Sequence, residues 1–284
     1  MELDKLSPKL LAVVEVFCVA FICIPFLTLG LYALFPEFES WQTESLGFPF
    51  PVFGHVVMVA VVLIVILLRR GKLADYGMRF DNPKYHLDIA AACFIPVVLA
   101  SMPIGLGVDH TTWSGALILA LTQIGLLFLL AFILRKKPAS PTVGAVTASL
   151  MFLSPISNTA QPIAVKAVVV FLTYALFVGF GEEILYRGYI QSRLNRTFGK
   201  PFTFFGVAFG WGAVITSLLF GFSHVGVLGY LLGLSTRVTV AWGFWTFFGG
   251  LVFGLVREKT GSILAPALLH GLPQAIASVA MLFL

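Results

Sequence analysis

The segment Ala164–Phe180, AVKAVVVFLTYALFVGF, runs without a break into Gly181-Glu182-Glu183-Ile184-Leu185-Tyr186-Arg187. The first part reads as a helix that crosses a lipid hydrocarbon core, for which about 20 mainly apolar residues suffice. The second part sets two acids and an arginine on the continuation of that helix. Ionisable groups at such a depth cost several kcal/mol each, and they mark functional sites more often than structural accidents. A membrane helix that holds acid groups is therefore the first expectation, and the rest of the chain can be tested against it.

The whole chain has the same character. It is 59% hydrophobic and only 11% charged, with a mean hydropathy of +0.98, whereas soluble globular chains carry about 45–50% apolar and about 25% charged residues. No soluble core of 284 residues could hide that much apolar surface, so lipid is the solvent for most of it. A backbone in lipid must satisfy its own hydrogen bonds, which leaves helices or closed barrels. The apolar runs are continuous and lack the two-residue alternation of barrel strands, so they predict helices. They fall at 10–35, 51–68, 87–107, 114–134, 142–158, 163–186, 203–224, 238–256 and 262–284. The expected fold is an all-α polytopic membrane protein with eight or nine transmembrane helices. The count turns on the short 142–158 run, which contains Pro155. One multi-pass domain, 1–284, is expected to divide into N-terminal spans over 1–160 and a core over 161–284.

The net charge of +5 does not point to nucleic acid, because the basic residues are not gathered on one element. They sit in short clusters between apolar runs, as membrane topology requires. Arg69, Arg70 and Lys72 follow the second run, and Arg135, Lys136 and Lys137 the fourth. Arg193, Arg196 and Lys200 follow the sixth, and Arg257 and Lys259 the eighth. The loop Pro36–Pro51 has Glu37, Glu39 and Glu44 but no Lys or Arg, and the loop near Asp109 also has none. Nine spans with a cytoplasmic N-terminus place every basic loop inside. The first run, preceded by Lys5 and Lys9, is too long for a signal-peptide core and reads as a retained span. Cys18, Cys23 and Cys93 lie in apolar stretches without a CxxC spacing, so they read as packed bystanders. No internal repeat of the kind that builds transporters from inverted halves is visible.

Three polar insertions into apolar runs are candidates for chemistry. Glu183 and Arg187 are four apart, so on a helix they face and neutralise each other. Glu182 points about 100° away and is left over, which suits a general base. The second insertion is Phe220-Gly221-Phe222-Ser223-His224, and the third is His270-Gly271-Leu272-Pro273-Gln274. His270 and Gln274 are again four apart, and both can offer donors to one point. His55 reads as a packing or interfacial residue, His86 and His110 fall in or near loops, and Glu15 is expected near the headgroups. Two His and a Glu could hold zinc, but the HExxH spacing of zinc proteases is missing. A serine elbow of the GxSxG kind is missing too. Water activated by Glu182 and His224, with an oxyanion held by His270 and Gln274, is the alternative that needs no metal.

At these residues the sequence resembles the CAAX-prenyl-protease and bacteriocin-processing family (CPBP, or ABI) of intramembrane proteases, which includes the Ras-converting-enzyme type. Its EExxxR motif is matched by Glu182, Glu183 and Arg187, and its FxxxH motif by Phe220 and His224. Its late HxxxN/D motif is matched at His270, preceded by Thr260-Gly261-Ser262-Ile263-Leu264-Ala265-Pro266. The match covers roughly 163–275, and Asp75-Tyr76-Gly77-Met78-Arg79 looks like a further shared segment. The resemblance implies a glutamate-dependent, metal-free endopeptidase without cofactor. It acts on a lipidated or membrane-anchored peptide in the bilayer, in one branch a prenylated CAAX tail. It also implies that Glu182 and His224 activate water and that His270 with position 274 forms the oxyanion hole. The family commonly has Asn at that last position. Gln274 keeps the amide but adds a methylene, and Pro273 bends the backbone before it.

One geometric conflict remains. From the cytoplasmic ends of their runs, His270 lies about 8 residues in and His224 about 20, or roughly 12 against 30 Å. Straight spans over these boundaries would keep the two apart. Either helices are broken or tilted, with Gly221, Gly226, Gly229 and Gly233 marking the region after Phe220, or the boundaries lie elsewhere.

Overall fold

Residues 7–46, 51–135, 161–227, 238–280 and 282–283 are described in the computed structural model of the chain. The 142–158 run, Lys5, Lys136, Lys137, Gly229 and Gly233 lie outside them. Helix α1 (Pro8–Leu34) begins as its sequence dictates: Ser7 caps it through Lys9 N, and Pro8 occupies a first-turn position where no N–H is needed. It continues through Pro25 because the helix widens to a π turn at Val19–Cys23 just before that residue, where a proline can be accommodated. Then come α2 (Glu37–Leu46), α3 (Val52–Leu68), α4 (Pro83–Gly105) and α5 (Trp113–Arg135). Helix α6 (Val165–Phe198) is followed by α7 (Trp211–His224), α8 (Val240–Thr260) and α9 (Leu264–Ala280). Five of these, α1, α4, α5, α6 and α8, are long and apolar enough to cross a membrane, and α3 and α9 are shorter apolar helices. The protein is thus an all-α, multi-pass membrane protein.

The run at 203–224 is not one helix, contrary to the sequence expectation. Its first part forms a hairpin, β1 (Phe202–Phe204) against β2 (Val207–Phe209), and α7 begins only at Trp211. The turn residues Phe205 and Gly206 both have positive φ, at 48° and 80°. That is the pattern of a two-residue hairpin turn. Apolarity alone does not separate strand from helix here; the aromatic and β-branched residues on either side of Gly206 do. The later start removes eight residues, about 12 Å, from the depth assigned to His224. Counted from the helix starts, His224 lies 13 residues into α7 and His270 6 residues into α9, so the difference in depth falls from about 18 to about 11 Å. The helix runs intact through Gly221 and ends at Gly226, which has positive φ.

Two apolar cores hold the helices together. One gathers α1, α3 and α6 with Phe220 of α7, and the other gathers α4, α5, α8 and α9. Small residues set the closest approach between them. A Cβ on Gly179 of α6 would lie 2.9 Å from the Gly271 Cα of α9, too close for any side chain, so the two backbones touch there. At the other end, the Asp75–Arg79 segment docks on the α8–α9 turn: Ile263 N donates to Gly77 O at 2.9 Å, and Ser262 Oγ donates to Arg79 O at 2.8 Å. Gly77 has φ +74°, and a Cβ there would strike the guanidinium of Arg257.

Candidate active site

Helix α6 brings both glutamates inward through an unusual backbone. It is π-helical over Thr173–Glu182 and again over Ile184–Ile190. A π turn spends more residues per revolution than an α turn, so neighbours diverge by less than the α-helical angle, and such segments concentrate at functional sites. Glu183 and Arg187 pair as their spacing predicts, Arg187 Nη1 donating to Glu183 Oε1 at 2.8 Å, both side chains fully buried. Arg187 Nη2 also donates to Gly250 O of α8 at 3.1 Å. The guanidinium lies 4.5 Å from the Phe220 ring centre. A Cβ on Gly250 would lie 3.0 Å from Ser217 Cβ, so the glycine lets α8 approach α7 closely there.

Glu182 is different. Its side chain keeps 18% of its exposure where that of Glu183 keeps none. It sits between two imidazoles, with Oε1 at 3.6 Å from His55 Nε2 and Oε2 at 3.9 Å from His270 Nε2. Oε2 is buried and has no hydrogen-bond partner among the described residues. The carboxylate that the spacing leaves unpaired is thus lodged among histidines.

His270 is buried, its Nδ1 3.0 Å from Glu183 Oε1 and its ring stacked on Phe253 at 4.8 Å. A carboxylate only accepts, so Nδ1 carries a proton and Nε2 faces Glu182. His224, half-buried at the end of α7, has Nδ1 2.8 Å from Phe220 O, which fixes its tautomer in the same way. Its ring lies 4.5 Å from Phe220 and 5.3 Å from Trp242. Phe220 therefore touches Arg187, His224 and His270 together. Ser223 is exposed, and its hydroxyl donates to Phe220 O at 2.7 Å.

The structure thus brings together Glu182, Glu183, Arg187, Phe220, His224 and His270. Gln274 is one turn further along α9 and exposed, and among the described residues it makes no hydrogen bond with this group. His55 is the member that sequence reading passed over. The available signal was its position as the one ionisable side chain within Val52–Leu68, which is itself a functional hint in a membrane helix. Glu15 accepts from Tyr189 Oη at 2.7 Å and Arg193 Nε at 3.0 Å, tying α1 to α6. Among the described residues no three His, Cys, Asp or Glu side chains are arranged to hold a metal ion.

Carboxylates, imidazoles and one guanidinium are thus collected in a polar site where apolar helices cross. Residues 164–276 match the family model described as Rce1-like, type II CAAX prenyl endopeptidase. That segment is similar to this family, and it contains every candidate site residue except His55. No curated protein and no solved structure matches the chain.

Proposed function

We propose that the protein is an intramembrane endopeptidase that hydrolyses a peptide bond near the C-terminus of a lipidated, CAAX-type substrate without a metal or other cofactor. The observation that supports it most is Glu182 Oε2, buried without a hydrogen-bond partner among the described residues and 3.9 Å from His270 Nε2. In this reading Glu182 takes a proton from water as the water oxygen attacks the scissile carbonyl carbon. The same carboxyl then returns that proton to the departing amide nitrogen. His224, with its proton held on Nδ1 by Phe220 O, offers an Nε2 lone pair that orients the water. His270 stabilises the oxyanion through Nε2. To do so the ring carries protons on both nitrogens, with Nδ1 donating to the Glu183 carboxylate. Glu183, Arg187 and Phe220 hold the frame, and Gln274 is the candidate second oxyanion donor.

The division into N-terminal spans (1–160) and a catalytic core (161–284) belongs to this reading. So does a cytoplasmic N-terminus, with the Arg69–Lys72 and Arg193–Lys200 loops on the same side; the excess of basic residues there supports it. The test is cleavage of a farnesylated CAAX peptide and its unmodified twin by purified protein in liposomes. Wild type is expected to cleave the farnesylated peptide, and Glu182→Gln and His224→Ala to lose activity while inserting normally. Full activity of Glu182→Gln would sink the proposal. Stoichiometric zinc that leaves together with activity on chelation would replace it with a metal mechanism. A second reading, a non-catalytic scaffold or immunity-type relative, draws on the exposed Gln274, and a wild type that cleaves no lipidated peptide favours it.

A further inference from the structure

The geometry points to His55 of α3 as a positioning residue for Glu182, an inference that rests on Glu182 being the base and so on the proposal above. Both ring nitrogens of His55 face acceptors. Nδ1 lies 3.0 Å from the carbonyl oxygen of Pro51, one turn earlier at the start of α3. A carbonyl oxygen can only accept, so this nitrogen carries a proton. Nε2 lies 3.6 Å from Glu182 Oε1. A neutral ring would set its Nε2 lone pair against a carboxylate oxygen, two acceptors facing each other. A proton on Nε2 removes the conflict and leaves an ion pair of zero net charge, which suits apolar surroundings. The ring is also held edge-on by Phe177 of α6, 6.2 Å between centres, and its side chain keeps only 10% of its exposure. It is therefore fixed from both helices.

The consequence is directional. His55 grips Oε1, so Oε2 is the oxygen that remains to face His270 and the reacting water. Without His55 the carboxylate could rotate about its own axis, and the productive oxygen would be held for only part of the time. Misplacement of a catalytic group by about an ångström costs on the order of 10²-fold in rate. His55 lies on α3, outside the matched segment 164–276, so the site draws a functional group from the N-terminal spans.

The two contacts of His55 can be separated by two substitutions. Asn sets an amide nitrogen near the Nδ1 position and can keep the bond to Pro51 O; Gln sets one near Nε2 and can keep the contact with Glu182. For His55→Asn the expected result is a kcat about 10²-fold below wild type with KM unchanged. His55→Gln is expected to stay within about tenfold of wild type. Equal activity in the two variants, or the Asn variant being the more active, would overturn the inference and leave His55 as a helix-end residue only. Glu182→Gln measured in parallel keeps the two claims apart. If it stays active, the base assignment itself falls; if it is dead while His55→Asn equals His55→Gln, only the positioning role falls.

Discussion

At Arg187 the guanidinium donates to Glu183 Oε1 at 2.8 Å and to Gly250 O at 3.1 Å, and the pair is fully buried. Removing one partner of such a pair leaves an uncompensated charge, a loss of about 3–5 kcal/mol, whereas replacing both with apolar groups of similar size can be neutral. Arg187→Met is therefore expected to lower the melting temperature in detergent strongly. Adding Glu183→Leu should recover part of the loss, but without catalysis, because His270 then has no acceptor at Nδ1. A double variant no more stable than Arg187→Met would show that the pair is not the main term. Gln274 poses the opposite question, because it is exposed and makes no hydrogen bond among the described residues. If its amide joins the oxyanion site when substrate binds, Gln274→Ala should lower kcat by about 10²–10³-fold. Gln274→Asn, which restores the residue commonly found in the resembled family, should keep or raise it. Unchanged kcat in Gln274→Ala would leave His270 as the donor that matters.

Among the elements, α6 and α9 form the crossing on which the site depends. Gly179 and Gly271 allow backbone contact there, and His270 sits one residue before Gly271. A valine at 271 must push the two helices apart or twist α9, and either movement separates His270 from Glu182 and Glu183. We expect Gly271→Val to abolish cleavage while the protein still inserts, and Gly271→Ala to show a smaller loss of kcat. Wild-type kinetics in Gly271→Val would show that the crossing tolerates bulk and that His270 reaches the glutamates in another way. This crossing also marks the limit of what the sequence could reveal. Composition and run length identify the helices, and the four-residue spacing identifies the Glu183–Arg187 pair, because both are local properties. The hairpin at 202–209 was hidden inside an apolar run, since a short strand and a helix can share the same hydrophobicity. His55 was hidden because its partner is over a hundred residues away, and no spacing rule spans such a distance. The exposure of Gln274 depends on how α9 rotates against α6, which is set by tertiary contact alone.

At the scale of the molecule, the site is not contained in its Rce1-like segment. His55 reaches Glu182 from α3, while Glu15 of α1 binds Tyr189 and Arg193 of α6. Phe21 of α1 packs on Phe222 beside His224, 5.3 Å between ring centres. The Asp75–Arg79 segment braces the start of α9 through Gly77 O and Arg79 O. Helices that are each stable in lipid can be made as separate pieces and then associate, because insertion and packing are distinct steps. Residues 161–284 expressed alone should therefore insert but show activity reduced by about 10²-fold or more, since the base loses its positioning partner. Co-expression of residues 1–160 should bring much of it back. Restoration should fail when the N-terminal piece carries His55→Asn and should persist with His55→Gln. Full activity of 161–284 alone would mean that the segment is self-sufficient and that the contacts from α1 and α3 are packing without catalytic consequence.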